Sequence, residues 1–329
     1  MVEAARQVLD RVDATTPLFP YALRLVTEAA ARACFDWIGR GDKTKGDQAA
    51  VDAMRSVLDL MPFKGIIVIG EGEKDEAPEL YKGEILGAKE GEPTHDIAVD
   101  PLEGTSYLAK GLTNAMAAIA VAPRGAMFDP GPCYYMEKFA APPEARGEID
   151  PAWPTRRKLE RLAECLDKRV SDLTVYVLEK PRHNRLVEEI HATGARVALY
   201  PAGDVAGAIM AALPDSGIDA LMGTGGTPEG ILAACAIRAL GGTFYGRMDP
   251  QLAAEKQRVA EAGLDTTRWY RLEELVTSPE VCFCATGITT GLLFDGVERD
   301  RRNYRTQTLI ISGITGERQL LTTYTPRSS

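Results

Sequence analysis

A chain of 329 residues can form two domains or one large α/β unit with a substantial core. Its 45% hydrophobic and 26% charged residues are ordinary for a globular protein, and a formal charge of −9 argues against nucleic acid or an anionic membrane as the main partner. No apolar run reaches the roughly 18 residues that span a bilayer, and the start MVEAARQVLDRVD fits neither a secretory nor a mitochondrial presequence, so a cytoplasmic location is expected.

Cys34, Cys133, Cys165 and Cys235 stand alone, and Cys282 and Cys284 alternate within VCFCAT. Such sparse cysteines make no disulfide framework, and reduced, mostly buried thiols are expected. His95, His183 and His191 show no zinc-site spacing. Any bound metal should therefore be hard and carboxylate-held, Mg²⁺ or Mn²⁺.

Phe19, Leu23, Val26, Ala30, Ala33 and Trp37 recur at intervals of three and four, which predicts a helix with one buried stripe ending at Gly39 and Gly41. A second helix comes next, with Val51, Met54, Leu58 and Met61 on one face, and places Asp47 in its first turn. An acid there suits the helix dipole, so Asp47 reads equally as a helix-start residue or a ligand. The apolar run Gly65–Ile69 predicts a strand that ends in acids, beginning with Glu71. Ile97, Ala98 and Val99 predict another, which delivers Asp100, Pro101, Leu102, Glu103, Gly104, Thr105 and Ser106 at its carboxyl end, where open α/β sheets bind ligands. If the two strands are parallel neighbours, their acidic ends meet. Pro101 fixes φ, Gly104 admits close backbone approach, and Thr105 and Ser106 begin a helix, with Ser106 as a helix-start hydrogen bonder.

Further strands are predicted at residues 115–122 and 133–140, and four prolines between Ala141 and Pro154 suggest a linker. This divides the chain into domains 1–150 and 151–329, with the last strands able to pack back on the N-terminal half. The second half alternates helix and strand signals: helix at 159–166, strand 173–178, helix 184–192, strand 197–200, helix 205–213, strand 218–222 and a helix through Leu240. That series predicts βαβ units and a mostly parallel sheet. The tail, residues 306–325, reads as two strands around Gly313 and Gly316.

Several phosphate chemistries are excluded. There is no GxxxxGK[ST] loop, no D-x-D pair and no G-x-S-x-G elbow, and Pro228 interrupts the glycine cluster after Met222. Cys34 and Arg40 have the C-x5-R spacing of cysteine phosphatases, but lie at the end of an amphipathic helix and read as coincidence. What remains is a set of carboxylates at element ends: Asp47, Glu71, Asp100, Glu103 and Glu229. Gathered in one cleft they would repel, and two or more divalent cations would reverse that balance and support in-line phosphoryl transfer. Lys180 and Arg182 offer fixed cations for a distant phosphate, or simply a solvated basic helix start, and Tyr135 could add a phenol.

With these residues assembled, the sequence resembles the class II fructose-1,6-bisphosphatases of bacteria, within the lithium-sensitive sugar and inositol phosphatase superfamily. DPLEGT is similar to the superfamily metal motif, and WIGRGDK, IVIGEGEKDEAP, YYMEK, KPRH, GGTPEG and ATGITTG resemble class II blocks in family order. The resemblance implies a layered αβαβα sugar-phosphatase fold with a metal-binding N-terminal domain, a sugar-phosphate C-terminal domain and the active site between the two halves. It implies metal-dependent hydrolysis of the 1-phosphate of fructose 1,6-bisphosphate, in sugar metabolism of the gluconeogenic or Calvin-cycle type. Asp47 and Glu71 match ligands of one metal, and Asp100, Glu103 and Glu229 those of another. Glu103, Gly104 and Thr105 match contacts around the scissile phosphate, with Thr105 either activating the attacking water or acting as nucleophile. Tyr135, Lys180, Pro181, Arg182, Ala202, Gly203, Asp204 and Gly226 match further substrate positions. A homodimer or homotetramer is also implied. Ala202 replaces an acid common in the family, which leaves sedoheptulose 1,7-bisphosphate open as a substrate, and a broader inositol- or nucleotide-type phosphomonoesterase is the remaining alternative.

Overall fold

The computed structural model of the chain describes residue 6 and residues 19–70, 80–88, 90–214 and 216–327. Glu71 lies outside the described residues. The chain forms two compact units, Met1–Met127 with Ser278–Ser329, and Phe128–Thr277.

In chain order the first unit opens with helix α1 (Phe19–Cys34), α2 (Lys43–Leu58) and strands β1 (Gly65–Ile69), β2 (Ile85–Leu86) and β3 (His95–Glu103). Short helix α3 (Thr105–Lys110) and β4 (Met116–Pro123) come next. The second unit contains β5 (Tyr135–Ala141), α4 (Thr155–Cys165), β6 (Thr174–Leu178), α5 (Asn184–His191), β7 (Arg196–Tyr200), α6 (Asp204–Ala212), β8 (Ala220–Gly226), α7 (Thr227–Leu240), β9 (Thr243–Met248), α8 (Ala253–Glu261) and β10 (Trp269–Arg271). The chain then returns to the first unit as β11 (Cys282–Gly287), β12 (Glu298–Arg299), β13 (Asn303–Ser312) and β14 (Glu317–Pro326).

The first unit is built on an eight-stranded sheet in the order β12-β13-β11-β4-β3-β1-β2, with β14 also on β13. β1 and β3 are parallel neighbours, as the acidic strand ends suggested, whereas β3, β4, β11, β13 and β14 pair antiparallel. The amphipathic stripe of α1 lies across β4, β11 and β13. Its Leu23 and Val26 are fully buried, each such side chain contributing about 1.5–3 kcal/mol. Where polar groups enter this core they pair: Thr27 Oγ1 meets Thr286 Oγ1 at 2.7 Å, which meets Thr308 Oγ1 at 2.8 Å.

The second unit has a six-stranded sheet, β10-β9-β5-β8-β6-β7. β6, β7 and β8 are parallel, matching the βαβ pattern, but β5, β9 and β10 pair antiparallel, so the sheet is mixed. Helices cover both faces. Leu159 and Leu162 of α4 and Ile190 of α5 pack on Phe139, Val175, Val177 and Met222, while α6 and α7 pack on the other face. A division at residue 150 is thus not where the structure divides. β5 is an interior strand of the second sheet, so its register ties Tyr135–Ala141 to β8 and β9, and the proline-rich segment after it lies within that unit. The last strands join the first sheet. Among the described residues no helix is long and apolar enough to cross a membrane. The fold is α/β.

Candidate active site

At the end of β3 the pairing with β4 slips. Asp100 stands opposite Ala118 and Glu103 opposite Met116, so β3 carries one extra residue across that interval. Ala118 and Met116 are two apart and share a face of β4, and directly opposed residues share a face, so the bulge brings Asp100 and Glu103 onto the same side of the sheet. In a regular strand, residues three apart would face opposite ways. Pro101, with no N–H to offer the ladder, falls inside the bulge, and Asp100 Oδ1 accepts from the Leu102 N–H at 3.1 Å.

Gly104 then turns the chain into α3 at φ +85°, and a β-carbon there would also lie 2.7 Å from Tyr107 Cδ2. Its carbonyl accepts from the N–H groups of Tyr107 and Leu108, at 2.7 and 3.2 Å. Thr105 is therefore the first helical residue and is half-buried. The cap position belongs to Gly104, so Ser106, expected as the helix-start hydrogen bonder, is instead the second helical residue.

Asp47 also departs from expectation. Helix α2 starts at Lys43, and Asp42 is its cap, accepting from Lys45 N at 3.0 Å. Asp47 is the fifth helical residue, past the first turn, on a helix that packs against β3 and α3. The preceding loop is fastened to the same short helix: Gly39 N donates to Leu108 O and Gly41 N to Ala109 O, each at 2.8 Å. Cys34 faces the start of α2 and donates its thiol to Gly46 O at 3.6 Å. Burial, with the nearby Asp47 charge adding to it, pushes that thiol up to about 12, which disposes of Cys34 as a phosphatase nucleophile.

In the second unit the parallel strands β6, β7 and β8 end together, and antiparallel β5 begins there. This single sheet end gathers Tyr135, Lys180, Pro181, Arg182, Ala202, Gly203, Asp204, Gly226 and Glu229. Arg182 comes just after β6 and uses Nε and Nη2 on the Thr224 carbonyl of β8, at 3.0 and 2.8 Å, while its guanidinium lies 5.3 Å from the centre of the Tyr135 ring. Tyr135 itself pairs with Gly226. After β7, the carbonyls of Ala202 and Gly203 accept from the Tyr176 hydroxyl, at 3.0 and 2.9 Å. Glu229, in the first turn of α7, folds back so closely over Gly226 that a β-carbon at Gly226 would run into the carboxylate. The Asp204 carboxylate, by contrast, is buried and ion-paired with Lys138, so any substrate contact there falls to the backbone of its turn.

Four residues that sequence reasoning passed over hold this sheet end in place. Lys138 is 2% exposed and sits beneath α6 and α7. His183 is buried, with Nδ1 2.7 Å from Leu178 O and Nε2 accepting from Thr224 N at 2.8 Å. Only the neutral ring protonated at Nδ1 meets both bonds, and burial lowers its pKa from the usual value. Asp249 accepts from Thr224 Oγ1 at 2.6 Å. Glu255 is fully buried and accepts the backbone N–H groups of Tyr134 at 2.6 Å and Tyr135 at 3.0 Å. A signal existed for Lys138: it shares a strand face with buried Met136, where a lysine implies a buried partner. None existed for Glu255, which acts more than a hundred residues away in sequence.

Asp47, Asp100, Glu103 and Glu229 supply only hard oxygen donors, and two of them, Asp100 and the buried Glu103, share one face of the sheet. Among the described residues no three such side chains converge on one point, and Glu71 is not among them. The donor type alone, carboxylate oxygen throughout, fits a hard divalent ion.

An α/β chain whose bulged β3 carries paired carboxylates on one sheet, and whose parallel strands on the other end beside a lysine and an arginine, belongs with the metal-dependent phosphatases. More specifically, residues 19–325 match the family described as "Bacterial fructose-1,6-bisphosphatase, glpX-encoded", and the chain belongs to that family. It is 45% identical over 301 residues to "Fructose-1,6-bisphosphatase class 2" of Haemophilus influenzae, covering 88% of this chain and 90% of that one. It is 44% identical over 301 residues to "Fructose-1,6-bisphosphatase 1 class 2" of Escherichia coli, covering 88% and 89%. It is 43% identical over 312 residues to "D-fructose 1,6-bisphosphatase class 2/sedoheptulose 1,7-bisphosphatase" of Thermosynechococcus vestitus, covering 87% and 90%.

Proposed function

We propose that this enzyme hydrolyses the 1-phosphate of fructose 1,6-bisphosphate, giving fructose 6-phosphate and phosphate. The observation that carries the proposal is the β3 bulge, which sets Asp100 and Glu103 on one side immediately before Gly104 and Thr105. Two or more Mn²⁺ or Mg²⁺ ions, held by Asp47, Glu71, Asp100, Glu103 and Glu229, supply charge stabilisation at the phosphoryl group when bound. Thr105 orients the attacking water, its hydroxyl accepting a water proton in a hydrogen bond as the oxygen approaches phosphorus. The Gly104–Thr105 backbone positions the phosphate, while Lys180 and Arg182 bind the distant phosphate and Tyr135 flanks it. Arg182 is suited to this because its fork is already fixed on Thr224 O.

The test is phosphate release from the six- and seven-carbon bisphosphates side by side, with Mn²⁺ and with Mg²⁺. Release from fructose 1,6-bisphosphate that disappears in Asp100→Ala supports the proposal; no release, or an unaffected variant, ends it. Arg182→Ala should raise KM for the bisphosphate and leave simple phosphate monoesters unchanged. Equal loss on both would favour a broader phosphomonoesterase.

A second substrate, sedoheptulose 1,7-bisphosphate, is favoured by one feature. Residue 202 is an alanine whose carbonyl is held by Tyr176, so no carboxylate stands there to restrict the sugar. Assembly into two or four copies belongs to the same proposal, and the mass in solution tests it.

A further inference from the structure

The two sheets end in strands of very different length. Among the described residues the edge strands β2 and β12 have two residues each, β10 three and β7 five, whereas β14 has ten. Short edges protect a sheet from further pairing, and a long one is a template for another strand. The middle of β14, Thr322, Thr323, Tyr324 and Thr325, is built of residues that favour strands.

The parity of the ladder decides which groups reach the open side. Continuing the β13–β14 register by one residue sets Arg327 opposite Arg302, whose carbonyl accepts the Arg327 N–H at 2.8 Å. Odd-numbered residues of β14 therefore bond to β13, and even-numbered residues turn their backbone groups outward. Pro326 is even-numbered, so its missing N–H falls on the open side and breaks no bond to β13. The side chains of the even-numbered residues are exposed as well, Leu320 by 53% and Tyr324 by 64%.

We propose that β14 forms a two-fold interface, in which β14 of a second copy of this chain pairs with it antiparallel about Thr322. The inference rests on the assembly into two or four copies proposed above and names its surface. Centred on Thr322, the joint brings an opposing carbonyl to every outward N–H, those of Arg318, Leu320, Thr322 and Tyr324, and leaves Pro326 at the end of the ladder. Leu320 of each copy falls opposite Tyr324 of the other, which covers two exposed apolar side chains at each contact. Glu317 of each copy falls opposite Arg327 of the other, and the two-fold axis makes that charge match twice. Among the described residues neither has an ion pair of its own: Glu317 accepts from Thr315 Oγ1 at 3.2 Å and Gln319 Nε2 at 3.3 Å, and Arg327 Nη1 donates to the Asp300 carbonyl at 3.0 Å. A centre at residue 321 or 323 would instead set Leu320 against Thr322 or Pro326 and part Glu317 from the arginine.

The mass of the full chain in solution, by sedimentation, tests this with variants of exposed side chains. Leu320→Lys combined with Tyr324→Lys should halve the mass of the assembly with the circular dichroism unchanged. Glu317→Arg should weaken association about tenfold or more, because like charges then face each other at both ends of the joint. Adding Arg327→Glu reverses the pair and should restore it. Thr322→Cys should be joined into a covalent dimer by a short bismaleimide linker, whereas the unaltered chain, with five of its cysteines buried and Cys165 half-buried, should not. An assembly whose mass ignores the lysine pair, a charge swap without recovery, or a Thr322→Cys chain that stays unlinked would overturn this interface and leave the assembly standing. A monomeric unaltered chain would overturn both.

Discussion

The turn after β3 and the cluster of turns after β6, β7 and β8 carry the two halves of the candidate chemistry, and they are held by different means. After β3 the backbone does the holding: a bulge around Pro101, a left-handed Gly104 and a six-residue helix whose end is fastened by the Gly39 and Gly41 amides. At the second sheet end, buried side chains do it: Lys138 on Asp204, His183 between Leu178 and Thr224, Tyr176 on two carbonyls and Glu255 under Tyr135. In the proposed reaction the backbone-built turn presents Thr105 to the phosphoryl group. The side-chain-built end spends polar groups on positioning, so its substitutions should act first on stability and only then on binding.

The largest expected effect breaks the chemistry and spares the fold. Thr105→Val keeps the shape of a half-buried residue, and kcat should fall about 10²–10⁴-fold with little change in KM or melting temperature. An unchanged kcat would remove Thr105 from the mechanism. Next, Lys138→Met should cost about 3–5 kcal/mol in denaturant unfolding, because Asp204 is left buried without its cation. Adding Asp204→Asn should recover part of that loss, as a coupled pair requires. Full additivity of the two would show them to be independent.

Gly104→Ala comes third. The left-handed φ and the Tyr107 contact should cost about 1–3 kcal/mol, and activity should drop even where the fold survives, since Thr105 is displaced with the turn. The smallest effect is a pH slope. His183 is held neutral, so its folded pKa lies below the ordinary 6.5 and the unfolded chain takes up the proton first. Its contribution to stability is complete above pH 6.5 and declines as pH falls below that value. Unfolding free energies of His183→Asn between pH 5 and 7 should be flatter with pH than those of the unaltered chain; parallel curves would show that His183 has no share in the slope.

Much of the fold was legible. The 3.6-residue stripe of α1, the apolar runs of β1 and β3 and the βαβ rhythm from α4 to α7 all arise from local periodicity, because most of these elements are amphipathic or largely buried along their length. Strand direction was less so. Parallel β6, β7 and β8 matched the rhythm, but β5 runs the other way between β8 and β9, a direction set by which strands pair across the sheet. The unit boundary was misplaced for a related reason: prolines mark a surface turn, and only pairing shows that β5 belongs with β8 and β9.

The candidate residues divide in the same way. Asp100, Glu103, Gly104 and Thr105 were readable together because they are contiguous, and a turn of four types with distinct physical uses is itself a local object. Asp47 was placed at a helix start because Asp and Glu favour that end, whereas Asp42 took the cap and left Asp47 a turn further on. The sequence by itself determined the acids, the glycine turn and the cations, since these are matters of residue type and spacing. Only the tertiary structure decided that a bulge turns Asp100 and Glu103 to one side, that Arg182 is braced by Thr224, and that Asp204 is committed to Lys138. Register and long-range burial set those outcomes, and neither is written in any short stretch of chain.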